Sequence, residues 1–256
     1  MKKLTLLLGL FALAFLPACK DNEEGGPKAD FTVTFKSNFA GEQLTKYKSY
    51  AFGAAGIPLQ FTRFSTYLSD IELLKADGSS HRLAEIEYID FTPENASSDL
   101  SATPAITYSN VPEGEYTGLR IGYGVKPWLN SKTYNDFPIG HPLAKEIEYW
   151  SGWTSYIFTK IEGKADSDNN GTLDVSLLYH CGSDAVYKVY AFDLPIHIHT
   201  GQPGISVNFD LEKIFTMDDG SFYDIVTNFY TSHDPNNVVV AQVLMHNFKK
   251  ATTVTQ

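Results

Sequence analysis

Residues 31–35 read Phe-Thr-Val-Thr-Phe, and this stretch shows most clearly what kind of fold the chain forms. Apolar residues alternate with threonine. Because successive side chains of a β-strand point to opposite faces, the pattern predicts a strand with one buried face. Valine, threonine and phenylalanine are also common in strands. The segment therefore predicts a sheet that packs one face against a core.

Further segments of this kind follow along the chain, separated by turn residues such as Asp77-Gly78 and Asn170-Gly171. They cover residues 71–74, 86–91, 106–109, 116–123, 156–162, 173–180, 186–191, 194–199 and 205–211. Many short strands with regular turns are typical of an all-β fold. We predict one domain, a two-sheet antiparallel β-sandwich over residues 30–250.

Residues 141–150 interrupt this pattern. Pro142 stands near their start, and Leu143, Ile147 and Trp150 follow at steps of four and three residues. This is the spacing of one helix face, so we predict a short helix near 141–150.

A second helix is predicted at the end of the chain. Residues 234–237 read Asp-Pro-Asn-Asn, which is typical of a helix cap, and Val238 to Lys250 follow with helical periodicity.

The composition is that of a folded, acidic protein. The chain has 256 residues, of which 43% are hydrophobic, and thirty acidic residues against twenty basic ones give a formal net charge of -10. Because this charge repels a phosphate backbone, we expect no nucleic-acid partner.

The first residues predict export. Residues 2–3 are lysines, residues 4–16 form an apolar run too short to span a bilayer, and residues 16–19 read Leu-Pro-Ala-Cys. The last four resemble a lipobox, so we expect residues 1–18 to be a cleaved lipoprotein signal peptide and Cys19 to be lipidated. An ordinary secretory signal with an incidental cysteine is the alternative.

Residues 19–29 are polar and without periodicity, which predicts a tether between a lipid anchor and the domain. Their Lys-then-acidic start resembles the surface-export signal of lipoproteins in Bacteroidetes-type bacteria. We therefore expect a protein attached to the outer membrane, surface-exposed or, as second choice, periplasmic.

Two histidines alternate in one predicted strand. His197 and His199 flank Ile198, so both imidazoles face the same side, about 6.6 Å apart along the strand. They could hold one metal ion with a third ligand from a neighbouring strand. The alternative, which we favour on spacing alone, is two surface histidines on the polar face of a half-buried strand.

His180 ends another predicted strand, next to Cys181. Neighbouring strand residues point to opposite faces, so these two side chains cannot easily share one ion. We interpret Cys181 as a structural thiol.

The loop that begins at Asp166 resembles the start of a calcium-binding loop. Oxygen-bearing side chains alternate at Asp166, Asp168 and Asn170, and Asp174 stands at the ninth position. The twelfth position is Leu177 instead of a bidentate glutamate. The loop therefore predicts either a weak calcium site or a plain hairpin turn.

The chain carries no Gly-x-Ser-x-Gly, phosphate-loop or dinucleotide-binding motif. We therefore predict that it is not an enzyme.

An ordered set of short motifs resembles the MbnP-like family. The central ones are His141-Pro142-Leu143, Tyr149-Trp150-Ser151, Tyr156 to Gly163, and Leu178-Tyr179-His180-Cys181-Gly182. Segments near residues 31–42, 67–73, 111–116 and 121–125 resemble the early motifs of the same family. The resemblance extends from about Phe31 to Asn247.

The resemblance implies a copper-binding β-sandwich of the periplasm or cell surface. It also implies that Trp150 is a candidate for oxidation to kynurenine by a di-haem peroxidase-like partner protein. The chain departs from the family pattern where Glu148 replaces a Met, and where Gly152 stands in place of a second Trp and Trp153 follows one residue late.

We therefore predict a lipoprotein that binds copper without turnover. His141 and His180, which lie in the matching motifs, are the first-choice ligands, and His197 and His199 are the second choice. The alternative is a non-metal binding module for a glycan or a protein of the envelope. A glycan binder should present exposed aromatic side chains as a flat platform, whereas a copper protein should bring histidines to one point.

Overall fold

The computed structural model describes residues 26–232 and 238–256. The predicted signal peptide, Cys19, most of the tether and the predicted cap at 234–237 lie outside these residues. The strands of the described part are β1 (Lys28–Phe39), β2 (Glu42–Gln43), β3 (Tyr50–Phe52), β4 (Ile57–Leu74), β5 (Ser80–Asp90), β6 (Ala105–Pro112), β7 (Gly114–Tyr123), β8 (Tyr149–Trp150), β9 (Ser155–Ala165), β10 (Val175–Gly182), β11 (Lys188–Ile198), β12 (Ile205–Asp210) and β13 (Thr252–Thr255). The helices there are α1 (Pro127–Asn130), α2 (Leu211–Ile214) and α3 (Val239–Ala251), with 3-10 turns at Tyr134–Asp136, Glu146–Glu148 and Asp184–Val186.

The strands form two sheets, which confirms the predicted all-β sandwich. One sheet has the order β13-β12-β1-β2, and β6 also pairs with β1. The other follows β10-β9-β4-β7-β11, with β3 and β5 on β4 and β8 on β9. The strand pairs are antiparallel except β1–β12, where Val33 lies beside Ile205 in parallel register. The first strand and the last strands of the domain therefore share one sheet.

The alternation of the opening segment is confirmed. In β1 the side chains of Phe31, Val33 and Phe35 are buried, while Thr32 and Thr34 between them are half-buried on the other face. The buried face packs against the second sheet, as the period-two pattern predicts.

The long strand β4 organises the second sheet. At Ser65 it is flanked by β5 through Asp90 and by β9 through Lys160. Further along, Leu68 to Leu74 pair with β7 on the side opposite β5. The β9–β10 pair and the β7–β11 pair therefore extend along different halves of β4.

Phe209 connects the two sheets and the C-terminal helix. It is fully buried on β12, and its ring centroid lies 5.6 Å from that of Phe91, 6.2 Å from Phe64, 6.4 Å from Tyr123 and 6.1 Å from Phe248 on α3. Aromatic side chains of this size bury the most apolar area per residue.

The structure differs from the sequence-based prediction at several places. Strand β4 begins at Ile57, whereas only residues 71–74 were predicted as a strand, and β2, β3, β8 and β13 were not predicted. Residues 188–198 form one strand, β11, instead of two, with an irregular register between Asp193 and Ile196. Of the helix near 141–150, only the 3-10 turn Glu146–Glu148 forms, followed by β8. Leu143 is buried but Ile147 is 71% exposed, so the predicted stripe does not lie on one buried face.

The C-terminal helix is confirmed as α3, and it buries Leu244, Met245 and Phe248 among other residues. Among the described residues, no helix has the length and apolarity needed to cross a membrane.

Candidate functional site

His180 lies on the outer face of β10, the face turned away from the sandwich core. Its neighbours Tyr179 and Cys181 are buried on the core face. His180 is half-buried, and its Nε2 lies 2.6 Å from Oε1 of Glu162 on β9. The hydrogen bond from His180, followed by the charges of His180, Lys160 and Arg63, lowers the pKa of Glu162 below its usual range despite partial burial. The carboxylate is therefore ionised at neutral pH.

This pairing fixes which nitrogen of His180 could coordinate a metal. A neutral imidazole that donates its Nε2–H to a carboxylate carries its lone pair on Nδ1. Histidines that bind metals commonly donate their other ring N–H to a carboxylate in this way. The His180–Glu162 pair thus has the arrangement of a metal ligand and its supporting carboxylate.

His180 forms part of the wall of a cavity of about 290 Å³. The cavity is lined by Gly152, Trp153, His180, Gly182, Ser183, Ser232, Val238 and Ala241. Its aromatic wall is Trp153, whose ring stacks on Trp150 with centroids 4.4 Å apart and planes inclined by 26°. Both tryptophans are half-buried. Gly182 and His180, which belong to one of the motifs that resemble the family, both line the cavity, whereas Trp150 is not among the lining residues and stacks on Trp153 in its wall.

Gly182 allows Trp153 to approach the sheet. A Cβ atom added at Gly182 would lie 2.7 Å from the Tyr156 carbonyl oxygen and 2.9 Å from the Trp153 ring. We expect Gly182→Ala to displace Trp153 and to lower the free energy of unfolding by about 1–3 kcal/mol. Tryptophan fluorescence and chemical denaturation measure the two effects. Gly78→Ala, at an exposed turn with no atom near the added Cβ but with positive φ, controls for backbone strain alone and should leave the fluorescence unchanged.

The segment 137–150 covers the outer face of the sheet beside this cavity. Tyr67 Oη donates to the Pro142 carbonyl oxygen at 3.0 Å, and Tyr156 Oη donates to that of Leu143 at 2.9 Å. These bonds hold the segment on β4 and β9. Both tyrosines are therefore positioning residues for the segment, and neither lines the cavity.

Glu148, in the 3-10 turn of this segment, has an almost completely buried side chain. Its Oε2 lies 2.9 Å from Lys160 Nζ, its Oε1 accepts a hydrogen bond from Tyr88 Oη at 2.7 Å, and Arg63 lies 3.7 Å away. Burial, together with the charge of Glu148, raises the pKa of Tyr88 well above its ordinary value, so the phenol keeps its proton. This cluster was not predicted from the sequence, although a lysine between the apolar residues Phe158 and Ile161 was a signal.

His141 lies away from His180. Its ring stacks on Phe137, with centroids 4.5 Å apart, and its Nδ1 accepts the backbone N–H of Leu143 at 3.1 Å. Burial lowers the pKa of His141, and Glu85 on β5 is the acidic group that opposes this effect. His141 is not among the residues that line the cavity beside His180, so the structure does not bring the two first-choice histidines together there.

His197 and His199 lie beyond the far end of β4 and are about half-exposed. His197 Nδ1 pairs with Glu115, while His199 lies 3.5 Å from Glu113 and 3.6 Å from Glu115. Hydrogen bonds from Thr200 lower the pKa of Glu113. Strand β4 gives the distance between the two sites. His180 pairs with Lys160, which pairs with Ser65 on β4, whereas His197 lies beyond the other end of β4, at Leu74. The nine residue steps from Ser65 to Leu74 span about 30 Å of strand. His197 and His199 share a face, as predicted, but not a site with His180.

The predicted calcium loop is a compact turn between β9 and β10. Asp166 accepts the N–H groups of Asn170 and Gly171, and Asp174 accepts the N–H and the hydroxyl of Ser167. Asp168 and Asn170 also accept loop N–H groups, and positive φ occurs at Asn169 and Gly171. Calcium binding by Asp166, Asp168, Asn170 and Asp174 stays a prediction.

Cys181 is completely buried on the core face, on the opposite side of β10 from His180. Burial raises the pKa of its thiol to about 12. A thiol with this pKa is protonated at neutral pH, in agreement with a structural role. Taken over residues 26–232 and 238–256, no three His, Cys, Asp or Glu side chains are arranged to hold a metal ion.

Comparison with known proteins supports the resemblance. A sequence model of the family described as MbnP matches residues 28–238. Among solved structures, MbnP from Methylosinus trichosporium is similar, with a TM-score of 0.57 and 14% identity over 84% of this chain and 87% of that chain. At this identity the structural likeness concerns the fold. No curated protein matches the chain.

Proposed function

The chain belongs to the MbnP family, and from this premise we propose that it is a non-catalytic copper-binding lipoprotein of the cell envelope with His180 as its central ligand. The observation that carries the proposal is the His180–Glu162 pair in the wall of the Trp153 cavity. Imidazole nitrogen is a good ligand for copper, and an ionised carboxylate raises its basicity. Bound copper would supply a redox-active centre there.

The stacked pair of Trp150 and Trp153 is the second part of the proposal, because it concerns the oxidation of a tryptophan beside the cavity. Trp153 lines the cavity and Trp150 stacks on it. We keep Trp150 as the proposed position of oxidation by a di-haem peroxidase-like partner. A mass change that peptide fragmentation assigns to Trp150, and not to Trp153 of the same tryptic peptide, in protein isolated from its native membrane would support this part of the proposal. An unmodified peptide would contradict it.

Copper uptake tests the proposal directly. We expect the purified mature protein to take up about one copper ion in equilibrium dialysis and to bind copper more tightly than nickel or zinc, following the general order of metal affinities. Copper should also quench the fluorescence of the stacked tryptophans. Absence of bound copper at micromolar free metal would contradict the proposal.

The alternative, a glycan- or protein-binding module, follows if copper does not bind. A glycan platform needs exposed, coplanar aromatic side chains. Trp150 and Trp153 instead face each other and are half-buried. Trp128 is 50% exposed, and the ammonium groups of Lys126 and Lys132 lie over its ring. The cavity geometry therefore favours the copper proposal.

Membrane attachment is tested separately at Cys19. We expect mass spectrometry of the native protein to find an acylated N-terminal Cys19, because the preceding residues resemble a lipobox. Cys19→Ala should move the protein from the membrane fraction to the soluble fraction. Cys181→Ala is the matched control, since its buried thiol has no part in anchoring. A Cys19→Ala protein that stays in the membrane fraction would contradict the lipid anchor.

A further inference from the structure

Five tyrosine rings form a continuous row where the segment 137–150 lies on the second sheet. The distance between ring centroids is 5.9 Å from Tyr134 to Tyr149, 5.1 Å from Tyr149 to Tyr156, 5.9 Å from Tyr156 to Tyr67 and 4.9 Å from Tyr67 to Tyr88. Tyr156 and Tyr67 are completely buried, whereas the other three are half-buried. This tyrosine row therefore has two partly exposed ends that are connected through two buried rings.

The two ends of the tyrosine row share one kind of hydrogen-bond acceptor. Tyr134 Oη donates to Oε1 of Glu146 at 3.0 Å, and Tyr88 Oη donates to Oε1 of Glu148 at 2.7 Å. Both distances lie within the reach that proton transfer requires, which is about 2.6–3.2 Å. Each terminal phenol therefore has a carboxylate in position to take its proton.

The two buried phenols in the middle have a different acceptor. Tyr67 Oη donates to the carbonyl oxygen of Pro142, and Tyr156 Oη donates to that of Leu143. A backbone carbonyl accepts a hydrogen bond but is too weak a base to keep a phenol proton. Burial is the main cause that raises the pKa of both phenols above the ordinary value. The middle of the row therefore suits the passage of an electron, whereas its ends suit a stable neutral radical.

We propose that the tyrosine row conducts oxidising equivalents along the sheet, from a one-electron metal oxidant at Tyr134 to Tyr88. When the oxidant takes one electron from Tyr134, the phenol O–H bond breaks, its proton goes to Glu146 and a neutral tyrosyl radical forms. This activity is separate from copper binding and does not depend on the proposed function.

The following steps move one electron in the opposite direction along the row. Each phenol in turn gives an electron to the oxidised neighbour nearer Tyr134, and the proton on Glu146 returns to Tyr134 when that residue is reduced. The last electron leaves Tyr88, whose proton goes to Glu148. In sum, Tyr88 loses one electron to the metal oxidant and one proton to Glu148, and the other four tyrosines are restored.

A photochemical oxidant placed at one end of the row tests the proposal. Asn135 is exposed beside Tyr134, so Asn135→Cys in the full-length Cys19→Ala protein accepts a ruthenium polypyridyl label. Cys181 is completely buried and should stay unlabelled. Light with persulfate as electron acceptor generates the oxidant, and a nitroso spin trap with peptide mass spectrometry locates the radicals. We expect trapped radicals at both Tyr134 and Tyr88.

Tyr156→Phe interrupts the row while it keeps an aromatic ring in the core. Because phenylalanine is much harder to oxidise, this variant should keep the adduct at Tyr134 and lose the adduct at Tyr88. Tyr116→Phe is the matched control, since Tyr116 is also buried and donates to a backbone carbonyl, that of Pro112, at 2.8 Å. It should keep both adducts. Glu146→Gln keeps an acceptor oxygen but not the base, and should reduce the adduct at Tyr134.

Unlabelled protein of heavier isotopic composition in the same solution reports transfer between molecules, and it should carry no adduct at Tyr88. An intact row with a trapped radical at Tyr134 alone would overturn the proposal, as would a Tyr88 adduct that persists in Tyr156→Phe. If Tyr156→Phe disturbs the fold, as circular dichroism would show, Tyr149→Phe interrupts the row at another ring and should give the same loss.

Discussion

His180→Ala is expected to abolish copper uptake, with at least a hundredfold loss of affinity. Among the described residues, His180 is the histidine that lines the Trp153 cavity, and its pairing with Glu162 through Nε2 leaves Nδ1 as the proposed coordinating atom. A methyl group cannot replace this ligand. Because the imidazole must be neutral to bind metal, copper uptake by the wild-type protein should also fall as the pH is lowered. Isothermal titration calorimetry on wild type and variant measures both effects.

Matched histidine variants show whether the loss is specific. His197→Ala, about 30 Å away along the sheet, and His141→Ala, whose Nδ1 already accepts the Leu143 N–H, should retain copper. Glu162→Gln keeps a hydrogen-bond acceptor but loses the charge, and we expect a tenfold to hundredfold weakening. If His180→Ala bound copper at wild-type affinity, His180 would not be a copper ligand and the copper site would not lie in this cavity.

Phe209→Ala is expected to lower the free energy of unfolding by about 3–5 kcal/mol. The ring is completely buried and contacts Phe64 on β4, Phe91 directly after β5, and Phe248 on α3. Its removal leaves a cavity between the two layers that the surrounding strands can fill only in part. Urea denaturation followed by circular dichroism measures the loss.

Two variants calibrate this value. Phe209→Leu retains most of the apolar volume and should cost clearly less, whereas Phe192→Ala, on the partly buried face of β11, should cost about 1 kcal/mol. If Phe209→Ala and Phe192→Ala lost equal stability, Phe209 would not be the connection between the layers that its contacts indicate.

Many of the strands were predictable because each carries its own signal, although β4 was predicted only over its last residues, 71–74. In β1 the alternation of Phe31, Val33 and Phe35 with threonine is local, and neither sheet partner is needed to recognise it. The segment 141–150 was harder to predict. Its apolar spacing suits a helix, but the hydrogen bonds from Tyr67 and Tyr156 to its carbonyl groups favour turns that lie flat on the sheet.

The candidate site was only partly predictable. His180 was found through its motif, but its partner Glu162 depends on the register between β9 and β10, which no single segment reveals. Glu148 looks like a surface residue in the sequence. Its burial results from Lys160, Tyr88 and Arg63, which reach it from three different strands. Such clusters become visible only after the topology is known.

The parallel pairing of β1 with β12 has a consequence for how the protein matures. Val33 finds its partner Ile205 only after most of the domain has been synthesised, and β13 then adds to β12 from the last residues. Contacts between residues so distant in sequence form slowly, because a long loop must close first. The sheet can therefore close only when residues 205–210 are available to β1, so a fragment that ends before β12 lacks the strand that completes it.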